Sequence, residues 1–215
     1  MGGSSLLSVL VLLAVAWLGV ARAASLNRTV VFLFKETESG QDLFIRGGID
    51  SAQRPGCTDD AETDPCAIDM ITHSLGTISH YESYNSWRVG DTRLDWMGAQ
   101  AGQGNYNGLL ASGTPLAWTT NNVLSPAFQE LNTFGDHYWM VDMGLDCSQA
   151  EEGWFEIKAI VTSAGDVWEG DITQTACSGT GGGTAPYTSA NHLGRCGYVN
   201  IFTFDSSLCV IDTFP

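Results

Sequence analysis

Tryptophans that stand next to carboxylates are the residues of this chain best suited to chemistry. Seven tryptophans occur among 215 residues, and six of them follow residue 23. Asp95-Trp96 and Trp168-Glu169 are examples of the pairing. An indole ring brings a large apolar area and one hydrogen-bond donor, which suits either a protein core or the apolar face of a sugar ring. Neighbouring oxygen atoms would bond the sugar hydroxyls, so the pattern favours carbohydrate recognition.

Local context separates the tryptophans into two groups. Trp139, Trp154 and Trp168 lie in strand-like runs, where a core position is favoured. The other three lie in turn-rich sequence, and binding residues concentrate in loops. The predicted ligand-binding aromatic residues are Trp87, Trp96 and Trp118, with Tyr106 as a weaker candidate. The polar residues predicted to bond the same ligand are Asp95, Thr119, Thr120 and Asn121.

Acidic residues suggest two further kinds of chemistry. Asp142 and Asp146 flank a turn through Gly144, and closely spaced carboxylates are ligands that calcium prefers. Solvated turn residues explain the same pattern, and the D-x-D-x-D-G loop of an EF-hand is absent. Glycoside hydrolysis needs two carboxylates at a defined separation, and any acid-rich chain offers such pairs. We predict calcium at Asp142 and Asp146 as a candidate, no required cofactor and no catalytic residue.

Sequence signatures of other hydrolases are missing. The chain contains neither the G-x-S-x-G string of a nucleophile elbow nor the H-E-x-x-H string of a zinc protease. Its four histidines are scattered along the chain. Nucleophilic and zinc-dependent catalysis are therefore not predicted.

The first 23 residues are predicted to be a signal peptide. An apolar run from Leu6 to Val20 precedes Ala21-Arg22-Ala23, a small-residue cleavage site, although the usual basic segment is missing. The run has about 15 residues, fewer than the roughly 18 that indicate a membrane span. We predict a secreted, extracellular chain cleaved after Ala23, with an uncleaved anchor as the alternative.

Cysteine usage agrees with secretion. The six cysteines all follow the predicted signal peptide: Cys57, Cys66, Cys147, Cys177, Cys196 and Cys209. An even count in a secreted chain predicts disulfides, and the absence of C-x-x-C weakens a zinc site further. Cys57 and Cys66 are predicted to pair because they close a short acidic loop. The pairing of the other four stays open.

The net charge of the chain is strongly negative. Its formal value is −15, and removal of Arg22 with the signal peptide leaves 8 basic residues against 24 acidic ones, about −16. Phosphate backbones are bound by Lys and Arg, so nucleic acid is excluded as a partner. An anionic membrane surface is excluded for the same reason once the signal peptide is removed. A polysaccharide is the predicted partner, and the oligomeric state stays open.

One N-x-S/T sequon is present, at Asn27-Arg28-Thr29. Such a sequon is a glycosylation acceptor in a chain that passes through a glycosylating compartment. Asn27 is therefore the predicted glycosylation site.

Strand signals dominate the rest of the sequence. Apolar or alternating runs are separated by Gly, Asn, Asp and Ser clusters, and they span residues 29–34, 42–46, 138–141, 154–161, 167–172, 198–204 and 207–211. The pattern predicts one all-β domain over residues 24–215, an antiparallel β-sandwich. Long loops are expected at 51–65 and 178–189, tethered by flanking cysteines. Helix is expected only as one turn at 127–131.

Several strings resemble a known kind of module. They include G-Q-D-L-F-I-R-G-G-I-D at 40–50, L-D-W at 94–96, P-L-A-W-T-T at 115–120, G-W-F-E at 153–156, W-E-G-D-I at 168–172 and S-A-N-H at 189–192. Together they resemble a C-terminal, starch-associated accessory module of some secreted α-amylases of bacteria and marine invertebrates. The similarity spans roughly Arg28 to Phe204.

The resemblance implies a non-catalytic β-rich module that accompanies starch hydrolysis and binds α-glucan. The catalytic (β/α)₈ domain of an amylase needs about 250 residues and alternating helices, and the chain has neither. We therefore predict a secreted carbohydrate-binding module for α-glucan or a related polysaccharide. The alternatives are a small secreted glycan hydrolase or amylase-related enzyme fragment, and a structural protein of an extracellular matrix or coat.

Overall fold

Strands make up most of the regular structure in the computed structural model, which describes residues 25–163 and 165–215. The predicted signal peptide, residues 1–23, lies outside the described residues. The longer strands are β1 (Asn27–Phe34), β2 (Asp42–Gly48), β3 (Ile68–Thr72), β7 (Thr114–Thr119), β8 (Tyr138–Leu145), β9 (Trp154–Thr162), β13 (His192–Arg195), β14 (Val199–Thr203) and β15 (Cys209–Asp212). The two-residue strands are β4 (Arg93–Leu94), β5 (Asn105–Tyr106), β6 (Leu109–Leu110), β10 (Val167–Trp168), β11 (Ala176–Cys177) and β12 (Gly183–Thr184). A 3₁₀ turn (Ser79–Tyr81) leads into the short helix α1 (Glu82–Trp87).

Eleven strands belong to one sheet. Their order is β10-β9-β2-β7-β8-β1-β14-β15, with β13 also paired to β9, and with β3 paired to both β8 and β4. The pairs are antiparallel except that of β1 with β14, which run parallel. The prediction of a purely antiparallel arrangement is therefore wrong at this pair. A parallel neighbour needs a long connection, and here most of the chain lies between the two strands.

The sheet curls until its two ends approach each other. A turn at 196–198 joins β13, which extends one end of the sheet, to β14 near the other end. The Asn200 side chain bonds both the N–H and the carbonyl of Arg195, at 2.6 and 3.0 Å. The His192 ring stacks on Phe202 with centroids 4.5 Å apart. The all-β prediction is confirmed, and strand pairing gives one curled sheet that does not divide into two facing sheets.

Both faces of the central strands are covered. On β1, Val31 and Leu33 belong to the main core, while Val30 and Phe32 pack in a second cluster on the opposite face. Successive side chains of a strand point to opposite faces, so a strand buried on both sides must be apolar throughout. Phe214, close to the end of the chain, packs against the second cluster. This explains why β1 is a continuous apolar run and does not alternate with polar residues.

The prediction of a helical turn at 127–131 is wrong. Phe128 forms a β-bridge with Thr120, which takes up backbone groups that a helix would use. The only α-helix in the described residues is α1, where Tyr84 and Trp87 are both buried at a spacing of three. That spacing places both side chains on one helix face. Six residues are too few for the periodicity to stand out in the sequence.

Three disulfides tie the loops to the sheet. Cys57 pairs with Cys66, as predicted. The other pairs are Cys147–Cys196 and Cys177–Cys209, and no cysteine is free in the described part of the chain. The three disulfides are compatible with an extracellular protein. Among residues 25–163 and 165–215, no helix is both long enough and apolar enough to cross a membrane.

Candidate functional site

Strand register brings three side chains of β2, β9 and β10 onto one face of the sheet. Arg46 lies directly opposite Lys158, and Trp168 lies opposite Ile160. Directly opposed residues share a face, and so do residues two apart on one strand. Arg46, Lys158 and Trp168 therefore point to the same side, which we call the β2–β9 face.

Trp168 is an exposed aromatic residue on this face. Its side chain is 43% exposed, and the Arg46 guanidinium lies 5.1 Å from the centre of its indole ring. Guanidinium groups are attracted to the negative face of an aromatic ring, so this contact fixes the orientation of the indole. The prediction that Trp168 belongs to the core is wrong, because the residue lies on a two-residue edge strand and is 43% exposed.

Glu169, which directly follows β10, is held from inside the molecule. Glu169 is 3% exposed, and one of its oxygens accepts from Asp205 N–H at 2.7 Å and bonds His192 Nε2 at 2.8 Å. Its own N–H bonds the Ala159 carbonyl on β9. Because Glu169 points inward, its neighbour Trp168 must point outward.

Trp96 lies beside the same arginine. Arg46 donates to the Trp96 carbonyl at 3.3 Å, and the half-buried Trp96 indole donates to the Ile49 carbonyl at 3.2 Å. Of the predicted aromatic ligands, Trp96 is therefore the one whose backbone carbonyl bonds Arg46 of the β2–β9 face. Its donor is already used by the protein, which leaves the ring face as its available surface.

Glycine allows the chain to leave β2 next to Trp96. Gly48 has φ +121°, a conformation that L side chains rarely adopt, and a Cβ there would lie 2.3 Å from the Cys66 carbonyl oxygen. The chain turns at this point and carries Asp50 away from the strand. Asp50 then lines a surface cavity that adjoins the face.

This cavity has a volume of about 550 Å³ and is formed by three segments, residues 50–53, 171–173 and 188–191. Its polar lining includes Asp50, Gln53, Asp171, Thr188, Ser189 and Asn191. Lys158 of the β2–β9 face donates to Asp171 at 2.5 Å, which joins the cavity to the exposed indole. This hydrogen bond lowers the pKa of the Asp171 carboxyl, so the group is charged over the ordinary pH range. The candidate site consists of the cavity and of two indoles outside its lining, Trp168 on the β2–β9 face and Trp96 beside Arg46.

A buried carboxylate holds the cavity lining in place. Glu156 is fully buried; one of its oxygens accepts from Asp50 N–H at 3.0 Å, and the other accepts from the Ser189 hydroxyl and from Asn191 Nδ2, the latter at 2.9 Å. All three donors belong to residues that line the cavity. Hydrogen bonds to a charged acceptor are stronger than neutral ones. Glu156 therefore fixes two of the three segments relative to each other.

The structure places the predicted ligand residue Trp87 in the core. It is 4% exposed, its indole donates to the Leu109 carbonyl at 2.9 Å, and its ring packs on Phe44 and on Tyr106. The turn-rich sequence around it forms α1, whose inner face packs on the sheet. Trp87 is therefore a correction to the predicted binding set, and the half-buried Tyr106 lies against it.

Trp118 and its neighbours lie in strand β7, where a loop was expected. The half-buried Trp118 indole donates to His137 Nδ1 at 3.3 Å, and its ring contacts His80. Thr119 is fully buried and donates to the Tyr138 carbonyl. The structure does not bring Trp118 onto the β2–β9 face.

The remaining polar residues that were predicted to bond the ligand differ in burial. Thr120 is 1% exposed and donates to Asp136, whereas Asn121 is exposed. Asp95 is 4% exposed and accepts from Met97 N–H at 2.7 Å and from Gln100 Nε2 at 3.0 Å. Burial raises the pKa of the Asp95 carboxyl. Thr119, Thr120 and Asp95 are thus structural residues, because a buried polar group must be bonded internally.

The two carboxylates of the predicted calcium pair are both bonded within the protein, and calcium binding stays a prediction. Asp142 is 6% exposed, and its oxygens bond Arg28 at 2.6 Å and His73 at 2.9 Å. Asp146 accepts from the N–H and the hydroxyl of Ser148, as an Asp at the start of a turn does. Calcium takes six to eight oxygen ligands, and Asp142 already faces an arginine.

One other group deserves comparison with a metal site. In the residues that the structure describes, the only three metal-ligating side chains that converge are Cys57, Asp64 and Cys66. The two cysteines form a disulfide with each other, so neither offers a thiolate. This convergence follows from the disulfide.

The predicted glycosylation residue, Asn27, is exposed at the start of β1. Its side chain is accessible, as attachment of a glycan requires. Glycosylation itself stays a prediction.

The residues that line the cavity were not among those predicted to bind a ligand. Asp50 and Asp171 lie far in the sequence from each other and from Ser189 and Asn191, and none of the four stands next to a loop tryptophan. A signal was nevertheless present, since three strings that carry the α-amylase resemblance, at 40–50, 168–172 and 189–192, meet here. Neither a scan of protein-family models nor a search of curated proteins found a match to the chain.

Proposed function

We propose that the protein is a secreted, non-catalytic carbohydrate-binding module that holds a polysaccharide across the β2–β9 face and the adjacent cavity. The observation that carries this proposal is the exposed Trp168 indole, fixed by Arg46 beside a polar cavity. An exposed, oriented indole has no role in the core. The apolar face of one sugar unit would stack on it.

The cavity complements the indole. Ligand sites commonly have volumes of roughly 300–1,000 Å³ and a few placed polar groups, and this cavity falls in that range. Oxygens of Asp50, Asp171 and Asn191 would accept hydrogen bonds from the hydroxyls of a second sugar unit. Glu156 keeps the lining in position before the ligand arrives, which reduces the entropy lost on binding.

The α-amylase resemblance supports α-glucan as the polysaccharide. Three of its strings form the cavity and the exposed indole, and a fourth contains Trp96.

A hydrolase is less well supported by the same cavity. Asp50 and Asp171 are both in it, and a glycosidase needs one carboxyl with a raised pKa as its general acid. The hydrogen bond from Lys158 lowers the pKa of Asp171. Glu156 is buried and has both oxygens bonded by the protein, so it does not reach a substrate.

Substitution at the exposed indole tests the proposal. Trp168→Ala should weaken binding of amylose about tenfold, which corresponds to about 1.4 kcal/mol, because the stacking surface is lost. Trp168→Phe should restore part of the affinity, because a smaller aromatic face remains. Affinity electrophoresis in amylose gels and calorimetric titration with maltoheptaose would measure both variants.

Leu124→Ala is the matched control, because Leu124 is 90% exposed and apolar but belongs neither to the cavity lining nor to β2, β9 or β10. It should bind amylose as the unchanged protein does. Retention that survives Trp168→Ala together with Trp96→Ala would refute this site. Release of reducing ends from amylose, abolished by Asp171→Asn, would instead show a hydrolase.

A further inference from the structure

The cavity lacks positive charge. In the part of the chain that the structure describes, none of the residues that line it is Lys, Arg or His. Lys158 contacts the lining residue Asp171 at 2.5 Å, and Arg54, which follows the lining residue Gln53, is paired with Glu151 at 3.2 Å. Asp50 and Asp171 line the cavity, and the Glu156 carboxylate lies beneath it. An anionic ligand group would therefore meet three carboxylates without a free counter-charge.

The hydrogen-bond donors of the lining are largely used within the protein. The Ser189 hydroxyl and one Asn191 amide hydrogen go to Glu156, and Gln53 Nε2 donates to the Thr188 carbonyl at 3.1 Å. The N–H of Asp50 also goes to Glu156. Each of these bonds removes a donor that a carboxylate or sulfate on a ligand would need.

Acceptors, in contrast, remain available. Three side-chain acceptors make no hydrogen bond to the described residues: the second carboxylate oxygen of Asp50, the second carboxylate oxygen of Asp171, and the side-chain amide oxygen of Asn191. A ligand that fits must therefore bring donors, as the hydroxyls of a neutral sugar do. The side-chain amide of Asn191 and the threonine hydroxyls leave the lining with fewer free donors than free acceptors.

We infer that the site is selective by charge: it takes neutral glycans and rejects glycans that carry carboxylate or sulfate groups. This inference rests on the proposed function and adds the class of polysaccharide that the site accepts. Its basis is the uneven supply of donors and acceptors together with the lack of any Lys, Arg or His in the cavity lining. Rejection by unpaired charge is a common source of specificity.

A matched pair of polymers tests the inference with the whole secreted chain. Amylose and carboxymethyl-amylose share a backbone and differ in charge, so the ratio of their dissociation constants isolates the charge effect. At low salt, amylose should bind at least tenfold more tightly. The ratio should shrink in about 1 M salt, where the Debye length falls to about 3 Å.

Two variants locate the origin of the selectivity. Asp50→Asn should reduce the ratio by removing one carboxylate, and Asp171→Asn should reduce it further by also freeing Lys158. Asp59→Asn changes the net charge equally at an exposed residue outside the cavity, and it should leave the ratio unchanged.

The outcomes separate the two proposals. Binding of amylose and carboxymethyl-amylose with equal affinity would overturn charge selectivity and leave glycan binding intact. If Asp59→Asn reduced the ratio of dissociation constants as much as Asp50→Asn does, charge selectivity of the site would also be overturned, because the charge of the whole protein would then be the cause. Failure to bind either polymer would overturn the proposed function itself.

Discussion

Replacement of Glu156 by Gln tests whether a single buried carboxylate holds the candidate cavity in shape. Glu156 presents two acceptor oxygens to three donors, namely Asp50 N–H, the Ser189 hydroxyl and Asn191 Nδ2. Glutamine keeps one acceptor oxygen and turns the other into an NH₂ group. If the oxygen stays with Ser189 and Asn191, the NH₂ group faces the Asp50 N–H, donor against donor.

The expected cost follows from that one lost acceptor. A buried donor left without a partner costs about 1–3 kcal/mol. For a chain of 150–250 residues, 1 kcal/mol corresponds to a shift of about 2–4 °C in Tm, so Glu156→Gln should lower Tm by about 2–12 °C. The segment at 50–53 should also loosen, and amylose affinity should fall severalfold.

Three measurements read out this change. Urea unfolding gives the free energy of unfolding, and titration with maltoheptaose gives the affinity. Amide hydrogen exchange at Asp50 reports the broken bond directly and should accelerate, because its N–H no longer has an acceptor. Glu152→Gln is the matched control, since Glu152 is exposed and undergoes the same chemical change. Its effect on stability should stay within about 0.5 kcal/mol.

Equal stability and equal Asp50 exchange in Glu156→Gln and the unchanged protein would refute the assignment of Glu156 as the residue that organises the cavity. A loss of stability with unchanged affinity would keep its structural role and remove it from ligand binding.

Two other changes test the interior. Burial raises the pKa of Asp91 from 3.8 to about 8. Between about pH 4 and pH 8 the folded protein therefore holds a proton that the unfolded chain has released, so the free energy of unfolding should fall with rising pH by up to about 1.4 kcal/mol per pH unit. Asp91→Asn should flatten that fall, as measured by urea unfolding at several pH values. An unchanged slope would contradict the buried, protonated state. Replacing Cys147 and Cys196 by Ser should cost about 4 kcal/mol and replacing Cys57 and Cys66 about 3, because the bonds close loops with sequence separations of 49 and 9. Equal losses would contradict the loop-length argument.

Some features depend on local sequence alone and were predictable. The apolar run of β1 and the strong strand β9 lie close to the expected residues, and Cys57 pairs with Cys66 across a short loop. Strand β7 was missed because Trp118 lies among Pro and Thr residues that are typical of loops. Its strand conformation comes from hydrogen bonding to β2 and β8 on either side.

Exposure of the tryptophans was the property that sequence context failed to predict. Trp87 was expected at the surface and is buried, whereas Trp168 was expected in the core and is exposed. Both residues have apolar and polar neighbours in the sequence. What differs is the set of neighbours of each ring: the aromatic rings of Phe44 and Tyr106 pack on Trp87, whereas the Arg46 guanidinium lies over Trp168.

The amino-acid sequence by itself determined an acidic, disulfide-bonded, strand-rich chain, because composition, cysteine count and apolar runs act over a few residues at a time. Only the tertiary structure decided which carboxylates and indoles meet. Asp50, Asp171 and Asn191 come together because β2, β10 and β13 all pair with β9, and the pairing of β2 with β9 joins residues more than a hundred positions apart. Long-range pairing depends on the packing of the whole sheet, which no local pattern records.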